Sequence, residues 1–389
     1  MKICGIIAEY NPLHLGHVKQ IRYVKEVLGA ENVVVIMSGN FTQRGEPAIL
    51  NKYKRAKQAV LAGADLVIEL PTVFATANAE IFAKGAISIL SALGALDGIC
   101  FGVESGTKED YISLATAMNN ESKEFKKALK EKLDTGVSLA KAKFLTLKEL
   151  GEEFDESLIA SPNNILALEY VKAIISYGAN IEIFPLLRTG NHNEIKYKKG
   201  LTSAKSIRNM VKIGKTKKVK SSVPNFVYKD LKSYPFEFNK LAVLKLLTTT
   251  TEELKEVLDC TEGLENRIKA LSKDNLSLDA LVEKITTKRY NETRVRRIIT
   301  ANLLGIKKDV VLKALDGETY AKVLAVTGDK KDLISLISKT SKIPLITRKS
   351  EVSGLKKHAM ACFMIDAIAN DIYNLMQGEK ENEFYTLFV

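Results

Sequence analysis

The residues whose chemistry stands out first are His14 and His17, half of the chain's four histidines, within Glu9-Tyr10-Asn11-Pro12-Leu13-His14-Leu15-Gly16-His17. Two imidazoles three positions apart at the start of a helix face one ligand. There they can donate hydrogen bonds to phosphate oxygens that gain charge as pyrophosphate departs. The unpaired N–H groups and positive dipole end of such a helix suit the same anion. Gly16 would let a base or ribose lie close against the helix backbone. A lone histidine reads more readily as a cap or a packed core residue; a pair at the exit of an apolar strand does not.

Positioning the pair requires a strand before it and a helix after it, and the first hundred residues alternate in that way. Ile3–Ala8, Asn32–Met37, Asp65–Leu70 and Gly98–Val103 are short apolar runs of the kind buried on both faces of a sheet. Gly16–Leu28, Lys52–Ala62 and Ala75–Leu93 carry helical spacing between them. Residues 107–175 are mostly helical, and Asn180–Phe184 reads as a later strand. This order predicts an α/β fold: a Rossmann-like parallel sheet with helices on both faces. Beyond Pro224 the windows Leu241–Leu247, Glu252–Asp259, Leu278–Thr286 and Arg294–Leu304 are helical, with Ile343–Ile346 a candidate short strand. We therefore expect two domains, 1–224 carrying the site and 225–389 mainly helical and basic.

With 58 basic and 46 acidic residues, the net charge is +12, and it is unevenly spread. Residues 1–194 hold 21 basic and 23 acidic side chains, whereas residues 195–389 hold 37 and 23. Between Ile195 and Lys229 lie 11 Lys or Arg and no acid, which calls for a polyanion or a solvated, self-repelling connector. Lys212, Lys215, Lys217, Lys218 and Lys220 lie in this block, and Lys288, Arg289, Arg294, Arg296 and Arg297 form a second group beside Tyr290. Such side chains give affinity for nucleic-acid backbone with little sequence choice. A composition of 46% hydrophobic and 27% charged residues excludes bulk disorder, and no apolar run reaches the roughly 18 residues of a membrane span. Four scattered cysteines (Cys4, Cys100, Cys260, Cys362) offer neither a zinc spacing nor a disulfide framework. The expectation is a cytoplasmic protein without membrane contact and without a bound metal site of its own.

His14-Leu15-Gly16-His17 resembles the His-x-Gly-His signature of the nucleotidyltransferase superfamily, whose enzymes join a nucleophile to the α-phosphate of ATP. Alone it leaves the substrate open. Further segments occur in order: Met37-Ser38-Gly39-Asn40-Phe41-Thr42-Gln43-Arg44-Gly45-Glu46-Pro47-Ala48, Asp65–Pro71, Phe101–Ser105, Ser161–Tyr170 and Arg188–His192. Together they resemble the bacterial tRNA-Met cytidine acetate ligase family through most of residues 1–210, and more weakly through Glu262–Ile268 and Lys288–Arg294.

The resemblance implies a HUP-type nucleotidyltransferase fold and a two-step reaction. Acetate and ATP give acetyl-adenylate, and the acetyl group passes to N4 of the wobble cytidine of elongator tRNA-Met. His14 and His17 would be catalytic. ATP, accompanied by Mg2+, would contact Ile7, Ala8, Glu9, Tyr10, Asn11, Pro12, Leu13, His14, Leu15, Gly16, His17, Val18, Lys19, Gln20, Gly102, Asn163 or Asn164, and Arg188. Ser203-Ala204-Lys205-Ser206-Ile207-Arg208 is similar to a Ser-x-Thr-x-Ile-Arg phosphate stretch, giving Ser203 and Arg208, with Lys205 where the family has Thr. Asn193 stands where the family has an acid, so no acid role passes to it. Arg44, Glu46 and Lys52 would shape a substrate loop or form solvated surface. Two other readings stay open on the residues alone: an adenylyltransferase for a small phosphorylated metabolite, and a non-catalytic RNA-binding protein regulated by nucleotide.

Overall fold

Alternating side chains along three apolar strands divide the centre of the molecule between two faces. The computed structural model describes residues 1–137, 139–188, 203–231, 235, 237–274, 277–317, 319–384 and 386–389. The first four sheet strands are β1 (Ile3–Ala8), β2 (Asn32–Ser38), β3 (Leu66–Leu70) and β4 (Gly98–Val103). Ile3, Val34, Ile36, Leu66 and Ile68 pack into one hydrophobic cluster, whereas Cys4, Ile6, Val33, Val35, Met37 and Val67 pack into the other. That is the period of two expected of a pleated sheet covered on both sides.

The fifth strand, β5 (Glu182–Leu187), lies a few residues later than the sequence run that announces it. Strands β3, β2, β1, β4 and β5 lie side by side in that order and are all parallel. From the carboxyl-terminal half come β6 (Ala321–Val326), β7 (Leu345–Ile346) and β8 (Leu387–Phe388). β6 runs antiparallel to β3, and β7 and β8 pair with β6, which completes an eight-stranded sheet. The residues after 224 are mainly helical, as expected, but they also finish the sheet of the first half. The run Ala321–Val326 had an apolar signature that a helical reading of its neighbourhood concealed.

The helices that matter to the site are α1 (Leu15–Arg22), α2 (Lys52–Leu61), α3 (Ala79–Ala92), α4 (Pro162–Ser176), α5 (Ala204–Lys212), α6 (Glu292–Leu304) and α7 (Lys357–Gln377). The helix expected over Gly16–Leu28 is α1 followed by a π-helical turn, Tyr23–Val27. The run Ala75–Leu93 is broken because Asn78 caps α3, its side chain accepting the Ile81 N–H at 3.0 Å. No helix among the described residues is long and apolar enough to cross a membrane. All four cysteines are buried free thiols, each pushed up to about 12 chiefly by burial, so none is poised to react.

A buried four-charge cluster fastens the two halves. Lys52 Nζ lies 2.8 Å from Glu69 Oε1 and 2.6 Å from Glu383 Oε1, and Lys322 Nζ lies 3.1 Å from Glu69 Oε2 and also pairs with Glu383. None of the four is more than 5% exposed. Lys52 is therefore a core cation rather than part of a substrate loop. Burial pulls the Glu69 carboxyl upward, but the ammonium groups of Lys322 and Lys52 outweigh it and hold the carboxyl below its usual range. Its stabilisation is full above the ordinary carboxylate pKa and is lost as pH falls through the lowered value. Lys52→Met leaves two buried carboxylates facing one ammonium. It should cost about 3–5 kcal/mol in denaturant unfolding at neutral pH, a deficit that shrinks on acidification as the uncompensated carboxylate takes up a proton. An unchanged unfolding midpoint would mean that the cluster contributes nothing net.

Candidate active site

The strand order reverses at β1, with β2 and β3 to one side and β4 and β5 to the other. In a doubly wound sheet the crevice for a ligand opens there, beyond the carboxyl ends of the strands. A cleft of about 300 Å³ occupies that place. Its floor is built by Ile7, Ala8 and Glu9 at the end of β1 and by Phe101 and Gly102 at the end of β4.

The chain leaving β1 is held in an unusual path. Tyr10 sits at φ +46°, and the Asn11–Pro12 peptide bond is cis. Asn11 Oδ1 accepts the Ile49 N–H at 2.9 Å. Arg55, on α2 and wholly buried, donates to the carbonyls of Glu9 (2.7 Å), Ser38 (3.0 Å) and Leu50 (2.8 Å) and also to that of Gly39. Burial draws this guanidinium down to about 10, still far above neutrality. One charged fork thus sets the ends of β1 and β2 relative to each other.

After that loop the histidine pair starts α1. His14 is the N-cap, and its Nδ1 accepts the Gly16 N–H at 3.0 Å. His17 Nδ1 accepts the His14 N–H at 3.2 Å, so the two rings form a reciprocal capping box. Their centroids are 3.7 Å apart and nearly parallel, and Tyr10 meets His17 edge-on at 4.9 Å. With Nδ1 of each ring accepting, the neutral imidazoles carry their protons on Nε2. Both rings line the cleft. The cap and the chemical group are the same side chains.

Gly16 has a different reason from the one expected. A Cβ there would lie 2.8 Å from His14 Cε1 and 3.0 Å from Nδ1, so the glycine makes room for the imidazole. Gly102 likewise admits a protein side chain, since its Cβ would meet Arg188 Cδ at 3.1 Å and Cγ at 3.2 Å. Arg188 crosses the end of β4 and lines the cleft. Burial lowers its pKa and Glu104 partly offsets this, leaving a desolvated cation that an anion would satisfy.

Of the other expected ligands, Tyr10, Asn11, Gln20, Asn163 and Arg208 line the cleft as well. Asn163 Nδ2 donates to Glu104 Oε1 at 2.9 Å. Asn164 has structural work instead: its side chain bonds Glu104 N, Ser105 Oγ and the Ser157 carbonyl. Pro12, Leu13, Leu15, Gly16, Val18 and Lys19 belong to the motif but do not line the cleft, and Leu13 is wholly buried beneath it. Ser203 caps α5 by accepting the Ser206 N–H, while Lys205 and Arg208 reach the cleft. Arg208 Nη1 donates to the Asn11 carbonyl at 2.8 Å and its Nε pairs with Glu46 at 3.1 Å. Asn191, His192, Asn193 and the lysines at 196, 198 and 199 lie outside the described residues.

Gln43, Phe82, Tyr170 and Thr293 also line the cleft and were not expected there. Tyr170 had a signal, because it stands seven residues after Asn163 on one face of α4. Thr293 had none, since it arrives on a helix from the other half of the chain.

Among the basic residues, Lys212, Lys215, Lys217, Lys218, Lys220, Lys288 and Arg289 are exposed. Lys212 pairs with Asp279 at 3.2 Å and Arg289 with Glu262 at 3.2 Å. Arg294 is turned inward onto the Asp259 carbonyl and Thr261, and its guanidinium covers the Tyr290 ring, whose hydroxyl donates to the Glu262 carbonyl. That ring is already engaged rather than offered to a base. Arg297 is half-buried, with burial lowering its pKa.

A family model described as HIGH Nucleotidyl Transferase matches residues 1–386. The chain is 37% identical over 384 residues to a tRNA(Met) cytidine acetate ligase of Thermoanaerobacter sp. strain X514, spanning 96% of this chain and 95% of that one. To its namesake in Caldanaerobacter subterraneus subsp. tengcongensis it is 38% identical over 387 residues, with the same coverages. The crystal structure of apo Thermotoga maritima TmcAL superposes with a TM-score of 0.91 at 27% identity, covering 97% of this chain and 95% of that one. The same enzyme bound to α-thio ATP gives 0.89 at 28%, with equal coverage.

Gly16→Ala tests the reading of the cap. The added methyl should drive the His14 ring off the Gly16 N–H, costing about 0.5–2 kcal/mol of stability. Nucleotide affinity measured by calorimetry should fall with it. Wild-type values in both would show that the ring can move without loss.

Proposed function

This chain belongs to the tRNA(Met) cytidine acetate ligase family of HIGH nucleotidyltransferases, and on that premise we propose that it activates acetate with ATP and acetylates N4 of the wobble cytidine of elongator tRNA-Met. The observation that carries the site assignment is the stacked, mutually capping pair His14 and His17 at the switch point of the sheet.

An oxygen lone pair of acetate forms the bond to the α-phosphorus, and the bond from that phosphorus to the bridging oxygen breaks, its electrons leaving with pyrophosphate. Nε2–H of the two imidazoles donates to the charge that builds on the departing group. Because the caps already fix each ring's tautomer and orientation, little reorganisation accompanies the step. Arg188 and Arg208, forks of permanent charge on opposite walls, hold phosphate oxygens. In the second step the N4 lone pair attacks the acetyl carbonyl carbon, the carbon–oxygen bond to AMP breaks with its electrons leaving on the phosphate, and the surplus N4 proton passes to that phosphate or to water. Of the asparagines, Asn163 takes the nucleotide contact.

Magnesium enters as part of the substrate. Glu9, the carboxylate that lines the cleft, accepts the Gln43 N–H, and nearby Glu46 pairs with Arg208. The tRNA backbone rests on residues 225–389, which act as its binding domain, and on the exposed block Lys212–Lys220 beside α5, with the exposed Lys288 and Arg289 forming the second contact; Arg294 and Arg297 are turned inward or half-buried and serve the fold of that region instead. We place the reaction in the cytoplasm.

The deciding experiment is acetate-dependent exchange of labelled pyrophosphate into ATP, followed by mass analysis of tRNA-Met. Exchange without acetate dependence would favour another acceptor, and none at all would sink the reading. His14→Asn keeps a cap acceptor and removes the imidazole, so its unfolding midpoint should stay near wild type while exchange falls about 100-fold or more. His14→Ala should lose both. Equal activity in His14→Asn and wild type would remove the ring from the chemistry. Replacing Lys215, Lys217, Lys218 and Lys220 by Ser should weaken tRNA binding and lower its salt slope by about 0.9 for each phosphate that is no longer neutralised, with exchange unaffected.

A further inference from the structure

One wall of the cleft is made by the turn 42–46, and that turn is seated on the backbone of α6. Thr42 and Glu46 begin and end it, with the Gly45 N–H donating to the Thr42 carbonyl at 2.9 Å and Thr42 Oγ1 donating to the Glu46 carbonyl at 3.1 Å. Gly45 stands at φ +69°. A Cβ on it would lie 2.4 Å from the carbonyl carbon of Arg296 and 2.4 Å from the amide nitrogen of Arg297, so main chain rests on main chain. Thr300, fully buried one turn further along α6, donates from Oγ1 to the Gly45 carbonyl at 2.8 Å. On the opposite side of the turn, the Gln43 N–H donates to Glu9 Oε1 at 2.9 Å, and the side chains of Gln43 and Arg44 line the cleft. Thr293, nearly two turns earlier on α6, lines the same cleft.

We propose that Thr300 and Gly45 are positioning residues for the reaction: by seating the turn on α6 they set where Gln43 and Arg44 stand in the nucleotide cleft. The inference rests on reading that cleft as the ATP site. Neither residue touches substrate, and both act through the turn. A glycine is required because left-handed backbone and contact with another main chain coincide at one position. The threonine hydroxyl is required because the Gly45 carbonyl, enclosed beside α6, has no water to turn to. α6 comes from the carboxyl-terminal half of the chain, so that half supplies the seat for a wall of the ATP cleft.

The test compares Thr300→Val, which keeps shape and loses the donor, with Thr300→Ser, which keeps the donor, and with Gly45→Ala. Each is first checked for a cooperative thermal transition. Thr300→Val and Gly45→Ala should lower kcat for acetate-dependent pyrophosphate exchange, or raise KM for ATP, by about tenfold, while tRNA affinity stays within about twofold. Thr300→Ser should recover to within about twofold of wild type. Amide hydrogen exchange across residues 41–47 should quicken in the first two variants and not in the serine variant. Wild-type kinetics with unaltered amide exchange in Thr300→Val, or a serine variant as impaired as the valine one, overturns the inference. Should the wild-type protein show no acetate-dependent exchange, it is the functional reading that fails. ATP affinity by calorimetry and amide exchange then decide the positioning role, a roughly tenfold weaker Thr300→Val supporting it and an unchanged one overturning it.

Discussion

Everything at the mouth of the sheet depends on Arg55. A buried cation without a carboxylate partner is costly unless its donors are used, and here they are spent on four carbonyls that end β1, end β2 and lead into α2. Three of those carbonyls belong to loops and the fourth, that of Ser38, closes β2. The guanidinium replaces water for them and, in doing so, fixes the separation of two loops that make opposite walls of one cleft. The left-handed Tyr10 and the cis Asn11–Pro12 bond are held inside that frame.

Within it, geometry and chemistry are carried by the same atoms. Each imidazole of the pair uses Nδ1 to accept a backbone N–H at the start of α1 while its ring lines the cleft. Gly16 exists for the first ring, and Gly102 exists for Arg188. A motif that reads as a nucleotide-binding sequence is, atom by atom, also a device for placing two rings and one guanidinium at the cleft.

The sequence discloses what depends on local pattern. β1 and β4 match their apolar runs, and the helix-opening histidines sit where strand and helix signals meet. β5 and the break at Asn78 are displaced by a few residues because tertiary contacts choose where an apolar run pairs. What local pattern cannot disclose is long-range return. Nothing around Ala321–Val326 says that it will pair antiparallel with β3, and nothing at Thr293 or Thr300 says that α6 will rest on the turn at Gly45. Charge misleads in the same way: Lys52 and Arg294 look like surface cations, yet one is sealed among carboxylates and the other is turned inward onto the Asp259 carbonyl.

The antiparallel docking of β6 on β3 has a bearing on biogenesis. Lys52 and Glu383, which meet beside this junction, are 331 residues apart. While the ribosome is still making the intervening polypeptide, the edge of β3 has no neighbour and Lys52 and Glu69 lack half of their counter-charges. An unpaired, apolar edge of this kind invites association with other nascent chains. The first half thus waits through most of the chain's synthesis in need of shielding, and chaperone demand should be set by how slowly the stretch of message between β3 and β6 is translated.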